Sequence, residues 1–148
     1  MRNHFVVYVF DLKSNAFYIL DNYLSRARIE NIYGTSPTVM KEALAHFLMS
    51  HNETRYKGEA VDGLEPVVVK MPWRNTTNID DCGVYAMRHM ETFKGDSKWV
   101  CGLKKKDCKM VVCILTSCYL RTMNSWSVQI LDSCVKFCVS RKGQVMVE

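Results

Sequence analysis

The run His4–Leu12 (HFVVYVFDL) constrains this chain more than any other stretch. It is almost continuously apolar and rich in Val and aromatics, which suits a strand buried on both faces. Lys13-Ser14-Asn15 reads as a turn and Ala16–Leu20 (AFYIL) as a second strand, so this opening segment predicts a β-hairpin. With 148 residues, 48% of them hydrophobic and 24% charged, the chain is one domain's worth of sequence and can bury a core.

Gly34–Pro37 breaks the chain, with Ser36 as a helix N-cap and Pro37 at the first helical position. Val39, Met40, Ala43, Leu44, Phe47 and Leu48 recur at helical spacing and predict an amphipathic helix over Thr38–Ser50. His51–Leu64 is polar and loop-like, Pro66–Met71 (PVVVKM) predicts a third strand, and Pro72–Asp80 a polar loop. A helix is expected from Asp81–Cys82 to Phe93, with Val84, Met87, His89, Met90 and Phe93 as its inner stripe. Two more helices are expected, over Asp107–Met123 and Ser125–Val139, the last with Ile130, Leu131, Cys134, Val135 and Cys138 on one face. Strands first and helices after them predict an α+β fold rather than a doubly wound sheet.

No secretory signal opens the chain, and the longest apolar stretch, Met110–Leu120, is too short to span a bilayer and reads as a buried helix. A membrane partner is therefore not expected. Seven Cys is an odd count, which a complete disulfide framework would not use up, so a reducing compartment, nucleus or cytoplasm, is expected. The net charge of +5 is concentrated in Lys104, Lys105, Lys106 and Lys109. Such a cluster can attract nucleic acid. A solvated loop is the more ordinary use, and nucleic acid is not the expected partner.

Cys82, in NIDDCGVYAMRHME, sits where a polar loop meets a helix. Unpaired N–H groups and the helix dipole at that junction favour a thiolate. A free thiol with a pKa of about 8.5 is only ~3% ionised at neutral pH, and half-ionisation requires about 2 kcal/mol. A helix terminus supplies about 0.3–1 kcal/mol when exposed and up to ~2 when partly buried. The terminus alone is marginal, and Asp80 and Asp81 oppose it, so a nearby imidazolium is required. Gly83 removes a side chain where a substrate backbone could approach, and the Cys82 amide could face a developing oxyanion. Taken by itself, the motif is better read as a buried structural Cys at a helix start, the commoner use of this residue.

His4 opens the first strand and Asp21 closes the second, so a hairpin turn near Leu12–Ser14 permits them to share one end of the sheet. His89, two helical turns or about 10 Å from Cys82, is too far for direct proton transfer and reads as a partly buried helix residue. His46 and His51 have no motif context. The spacings Cys101-x6-Cys108-x4-Cys113-x4-Cys118 and Cys134-x3-Cys138 lack the close pairs of zinc sites, so neither a metal nor another cofactor is expected.

His4 followed by an aromatic and a Val run, YILD ending at Asp21, and Pro72 followed by Asp81-Cys82-Gly83-Val84-Tyr85 together resemble a known family. It is the catalytic domain of the ubiquitin-like-protein-specific proteases, adenain-like cysteine proteases that process SUMO-type modifiers. DCGVYAMRHMETFKG (Asp81–Gly95) looks most like the plant, transposon-associated members. The resemblance runs from His4 to about Gly102 and is weaker beyond. It implies a papain-like, adenain-like α+β core with a small mixed sheet and a central helix carrying Cys82, the whole of 1–148 being a single, partial catalytic domain. It implies Cys82 as nucleophile, His4 as general base and then acid, Asp21 as the residue that orients His4, and the Cys82 amide as half of the oxyanion hole. The partner it implies is a ubiquitin-like (SUMO-type) modifier or its conjugates.

Three departures stand out. The family places a Gln six residues before the Cys as second oxyanion donor, where this chain has Thr76, with Asn75 the nearest amide. Loss of such a donor typically costs ~10²–10³ in rate. Phe5 stands where the family commonly has Trp, and only three residues precede His4, which suggests an N-terminally truncated domain. These departures keep open an alternative, a catalytically weak or inactive remnant of the same fold that binds a ubiquitin-like protein.

Overall fold

The computed structural model describes residues 4–74, 76, 82–95, 99–102, 126–131 and 134–140. The expected hairpin is present: β1 (Phe5–Asp11) pairs antiparallel with β2 (Ala16–Leu20), in the register Val7↔Leu20 to Asp11↔Ala16. Its turn is built by Asp11, whose Oδ1 accepts the backbone N–H of Lys13 at 3.0 Å and of Ser14 at 3.2 Å, with Ser14 Oγ donating to Oδ2 at 2.6 Å. Asn15 closes the turn at φ 51°, a left-handed conformation that Asn tolerates.

Three helices follow. α1 (Ile29–Tyr33) was not anticipated from the sequence. α2 (Ser36–Met49) is the expected amphipathic helix, but it starts at Ser36 with Thr35 in the N-cap position. Ser36 is therefore not the cap, and its Oγ accepts the Tyr8 hydroxyl at 3.1 Å. α3 (Arg55–Asp62) replaces part of the loop expected over His51–Leu64. Its apolar signal is weak because the backbone itself makes the contact. A Cβ on Gly58 would lie 2.8 Å from both the Ala45 carbonyl oxygen and the Met49 nitrogen, so α3 packs directly on the α2 backbone.

β3 (Pro66–Val68) is shorter than expected and pairs parallel to β2. α4 (Cys82–Thr92) matches the expected helix closely. The helix expected over Ser125–Val139 is overturned. β4 (Trp126–Leu131) and β5 (Cys134–Ser140) are antiparallel strands, with β5 paired along the whole of β1. The apolar spacing there fits a helix face and a strand alike, and pairing with a strand distant in sequence decides between them. The helix expected over Asp107–Met123, the Met110–Leu120 stretch and the Lys104–Lys109 cluster lie outside the described residues.

The architecture is α+β: a mixed five-stranded sheet in the order β3-β2-β1-β5-β4, with helices on both sides. On one face Val6, Tyr8, Phe10, Phe17 and Ile19 meet Tyr33 of α1, Met40, Leu44 and Leu48 of α2 and Val61 of α3, joined by Val135 and Val139 of β5. On the other, Val7, Val9 and Leu20 meet Tyr85, Ala86 and Met90 of α4, with Met71, Trp73 and Phe93. β1 is covered by a helical layer on each side, which is why it is apolar at nearly every position. Among the described residues no helix is long and apolar enough to cross a membrane.

Candidate functional site

The hairpin register places Val6, not His4, opposite Asp21, since Val7 pairs with Leu20. His4 and Asp21 are thus offset by two residues, about 7 Å along the strands. The imidazole spans that offset: His4 Nε2 lies 2.7 Å from Asp21 Oδ1. Both groups are buried, Asp21 almost completely.

The Asp21 carboxylate is fully engaged. Oδ1 also accepts the Tyr23 backbone N–H at 2.8 Å, and Oδ2 accepts the Tyr33 hydroxyl at 3.0 Å. Burial alone pushes its pKa up. The hydrogen bond and charge of His4, with the bonds from Tyr23 and Tyr33, outweigh that and hold the carboxyl below its ordinary value.

Cys82 is the first residue of α4 and is 3% exposed. A side-chain hydrogen bond joins it to His4. With Nε2 committed to Asp21, Nδ1 is the ring nitrogen left for the sulfur. Burial works to lower the His4 pKa, but the hydrogen bonds and charges of Asp21 and Cys82 raise it from 6.5 to about 9. At neutral pH the ring therefore carries both protons. The structure brings together the three residues that the sequence singled out.

Why Cys82 arrives level with His4 follows from how α4 is docked. Gly83, at its start, faces the Phe5 ring, with the Cβ position 3.6 Å from Phe5 Cδ2. Just past its end, the Phe93 ring meets Tyr18, the strand partner of Val9, edge-on at 5.4 Å. The helix thus runs parallel to β1. Its C-terminal end is tied by Lys136 of β5, a fully buried lysine whose Nζ donates to the Met90 and Phe93 carbonyls at 2.6 Å each. A cation on terminal helix carbonyls is favourable through both hydrogen bonding and the dipole. Burial lowers the Lys136 pKa.

The Cβ position of Gly83 is in ordinary contact with Phe5, so among the described residues the packing against β1 would accept a methyl group there. Thr76 is exposed, and Asn75 lies outside the described residues. His89 is 1% exposed rather than partly buried; its Nε2 accepts the Trp73 indole N–H at 3.3 Å, and burial pushes its pKa down to about 3 against the pull of Asp21. It is a neutral histidine enclosed by Trp73, Trp99 and Tyr85.

Sequence reasoning missed Tyr33, Lys136 and Arg74. Arg74 donates to the Tyr23 carbonyl through Nε at 3.3 Å and Nη2 at 2.8 Å, fastening the segment after β2 to the loop that leads toward Cys82. Only Lys136 left a signal, a lone cation inside an apolar run. Among the described residues no cluster of His, Cys, Asp or Glu could hold a metal ion. No protein-family profile matches the chain, nor does any curated protein or solved structure.

Proposed function

We propose that this chain is a cysteine peptidase acting on ubiquitin-like, SUMO-type modifiers through Cys82, His4 and Asp21. The observation that carries the chemistry is one imidazole hydrogen-bonded to both an otherwise saturated carboxylate and a helix-start thiol. The substrate class rests on the sequence resemblance around Asp81–Gly95. A thiol nucleophile of this kind suits a reducing compartment, nucleus or cytoplasm.

The reaction needs no cofactor. With the Cys82 proton already held by His4, the sulfur adds to the carbonyl carbon of the scissile bond, forming a C–S bond and an oxyanion that the Cys82 backbone N–H can receive. As the C–N bond breaks, His4, already protonated, gives its Nδ1 proton to the leaving amine. Water then attacks the thioester, His4 takes its proton, the C–S bond breaks, and the acid product leaves with the sulfur anion and protonated His4 restored. Asp21 keeps the ring oriented throughout and stabilises its charged form whenever it holds both protons.

The test is labelling with SUMO and ubiquitin bearing a C-terminal electrophile, in a sample shown to be folded by circular dichroism. A covalent adduct on Cys82, lost in Cys82→Ala, is expected. A folded wild type that forms no adduct with either probe removes the enzyme claim. One observation favours a second reading: the position of the usual oxyanion-hole Gln carries an exposed Thr76. A binding-only remnant predicts modifier binding that survives Cys82→Ala, with no turnover in the wild type.

A further inference from the structure

We propose that Tyr33 is a positioning residue of the site, holding Asp21 in the plane and charge state that His4 requires. This rests on the peptidase reading and extends it to a residue outside the Cys-His-Asp set.

A carboxylate pinned through one oxygen can still turn about its Cβ–Cγ bond, carrying the second oxygen with it. At Asp21 both oxygens are held. Oδ1 takes His4 Nε2 at 2.7 Å and the Tyr23 N–H at 2.8 Å, and Oδ2 takes the Tyr33 hydroxyl at 3.0 Å. Tyr33 is the only one of these donors that touches Oδ2 among the described residues. It is buried, ends α1, and packs in the core on the α2 side of the sheet, across from α4. The orientation of the imidazole is thereby tied to α1, on the other side of the sheet from α4.

The groups that face Asp21 are few. His4 comes from the start of β1, the Tyr23 amide from the segment after β2, Tyr33 from α1 and His89 from α4. His89 is kept neutral by burial, so its imidazole brings no charge in the working range. Tyr33 is thus a neutral donor that favours the ionised carboxylate without competing for the imidazolium. A hydrogen bond to a charged group shifts an ionisation equilibrium by about one to two powers of ten.

The test is Tyr33→Phe, which removes only the hydroxyl, with Tyr8→Phe as a matched control. Tyr8 donates its hydroxyl to Ser36 and lies on the same core face. Two quantities are read: the protonation midpoint of Asp21, followed by carbon-13 NMR of its carboxyl carbon, and kcat and KM on a SUMO-type modifier with a C-terminal fluorogenic amide. In Tyr33→Phe the midpoint should rise by about one pH unit, with kcat at pH 7 falling about tenfold and KM within about twofold. Tyr8→Phe should move neither quantity. If Tyr33→Phe does not fold, 3-fluorotyrosine at position 33 decides, since a more acidic phenol donates more strongly and should lower the midpoint. An unmoved midpoint in either protein overturns the proposal, as does a moved midpoint with unchanged kcat in an active enzyme. A wild type inert to its substrates overturns the peptidase reading instead, and the titration still reports whether Tyr33 sets the state of Asp21.

Discussion

Raising the pH through the alkaline range should cost this fold most of the stabilisation that His4 contributes. The imidazole pKa stands at about 9 in the folded chain against 6.5 for the ordinary group. A folded-state pKa above the unfolded one means that the folded state holds the proton more tightly. The gain is fully present below about pH 6.5 and is lost as the pH climbs through about 9. At about 1.4 kcal/mol per pH unit, the whole effect is about 3 kcal/mol, a large share of a typical domain's stability. The assay is urea unfolding at pH 6 and pH 10 for the wild type and His4→Gln. Lysines, tyrosines and the other thiols also titrate in that window, so the informative quantity is the difference between the two proteins. The wild type should lose about 2–3 kcal/mol more than the variant. Cys82→Ala should keep part of that excess, because Asp21 raises the His4 pKa as well as Cys82 does. Parallel losses in wild type and His4→Gln would show that the imidazolium is not held by its two neighbours, and the charge state assigned to the site would fall with it.

Three other outcomes follow from the packing. Lys136→Met removes the charge-assisted hydrogen bonds to the Met90 and Phe93 carbonyls; a loss of about 2 kcal/mol is expected by denaturant unfolding, and an unchanged midpoint would argue against the buried cap. Gly58→Ala forces a Cβ to within 2.8 Å of α2 backbone atoms, which cannot swing aside; overpacking of about 1–3 kcal/mol should lower Tm by several degrees, and a wild-type Tm would refute the direct helix contact. Among the described residues Gly83→Ala meets the Phe5 ring alone, at 3.6 Å, an ordinary contact; stability should change by less than about 1 kcal/mol and probe labelling should persist, whereas abolished labelling in a folded protein would place this glycine on the substrate path.

The hairpin, α2 and α4 were legible because their signals are local: an apolar run, a turn and helical spacing lie within each segment. Cys82 was legible for the same reason, as a polar loop meets helical spacing at that residue. The hairpin pattern left the register open, and the Asp11 carboxylate settles it by gathering the Lys13 and Ser14 amides. β5 was misread because Ile130, Leu131, Cys134, Val135 and Cys138 suit a helix face as well. What decides against a helix is that Val135, Phe137 and Val139 enter one core while Lys136 reaches α4 from the opposite face. That alternation is period two, but a lysine at its centre does not look like a core residue until the carbonyls it serves are known. α3 hid behind Gly58, whose contribution is the absence of a side chain. Tyr33 reaches Asp21 only because α1 and α2 fold back over the sheet, and no spacing within the chain encodes that approach.

The alignment of nucleophile and base reduces to two lengths. Lys136 lies opposite Val9 in the sheet and holds the Met90 and Phe93 carbonyls, which fixes the end of α4 at the level of Val9. From there the helix returns over its 11 residues to Cys82, about 16 Å at 1.5 Å per residue. Along β1, the five steps from Val9 back to His4 cover about 17 Å at the rise of an antiparallel strand. The two spans are nearly equal, so a tether at the far end of the helix is enough to set sulfur and imidazole side by side. The site is therefore measured out by a helix and a strand laid parallel from a common anchor, and the buried lysine belongs to its geometry although it stands at the opposite end.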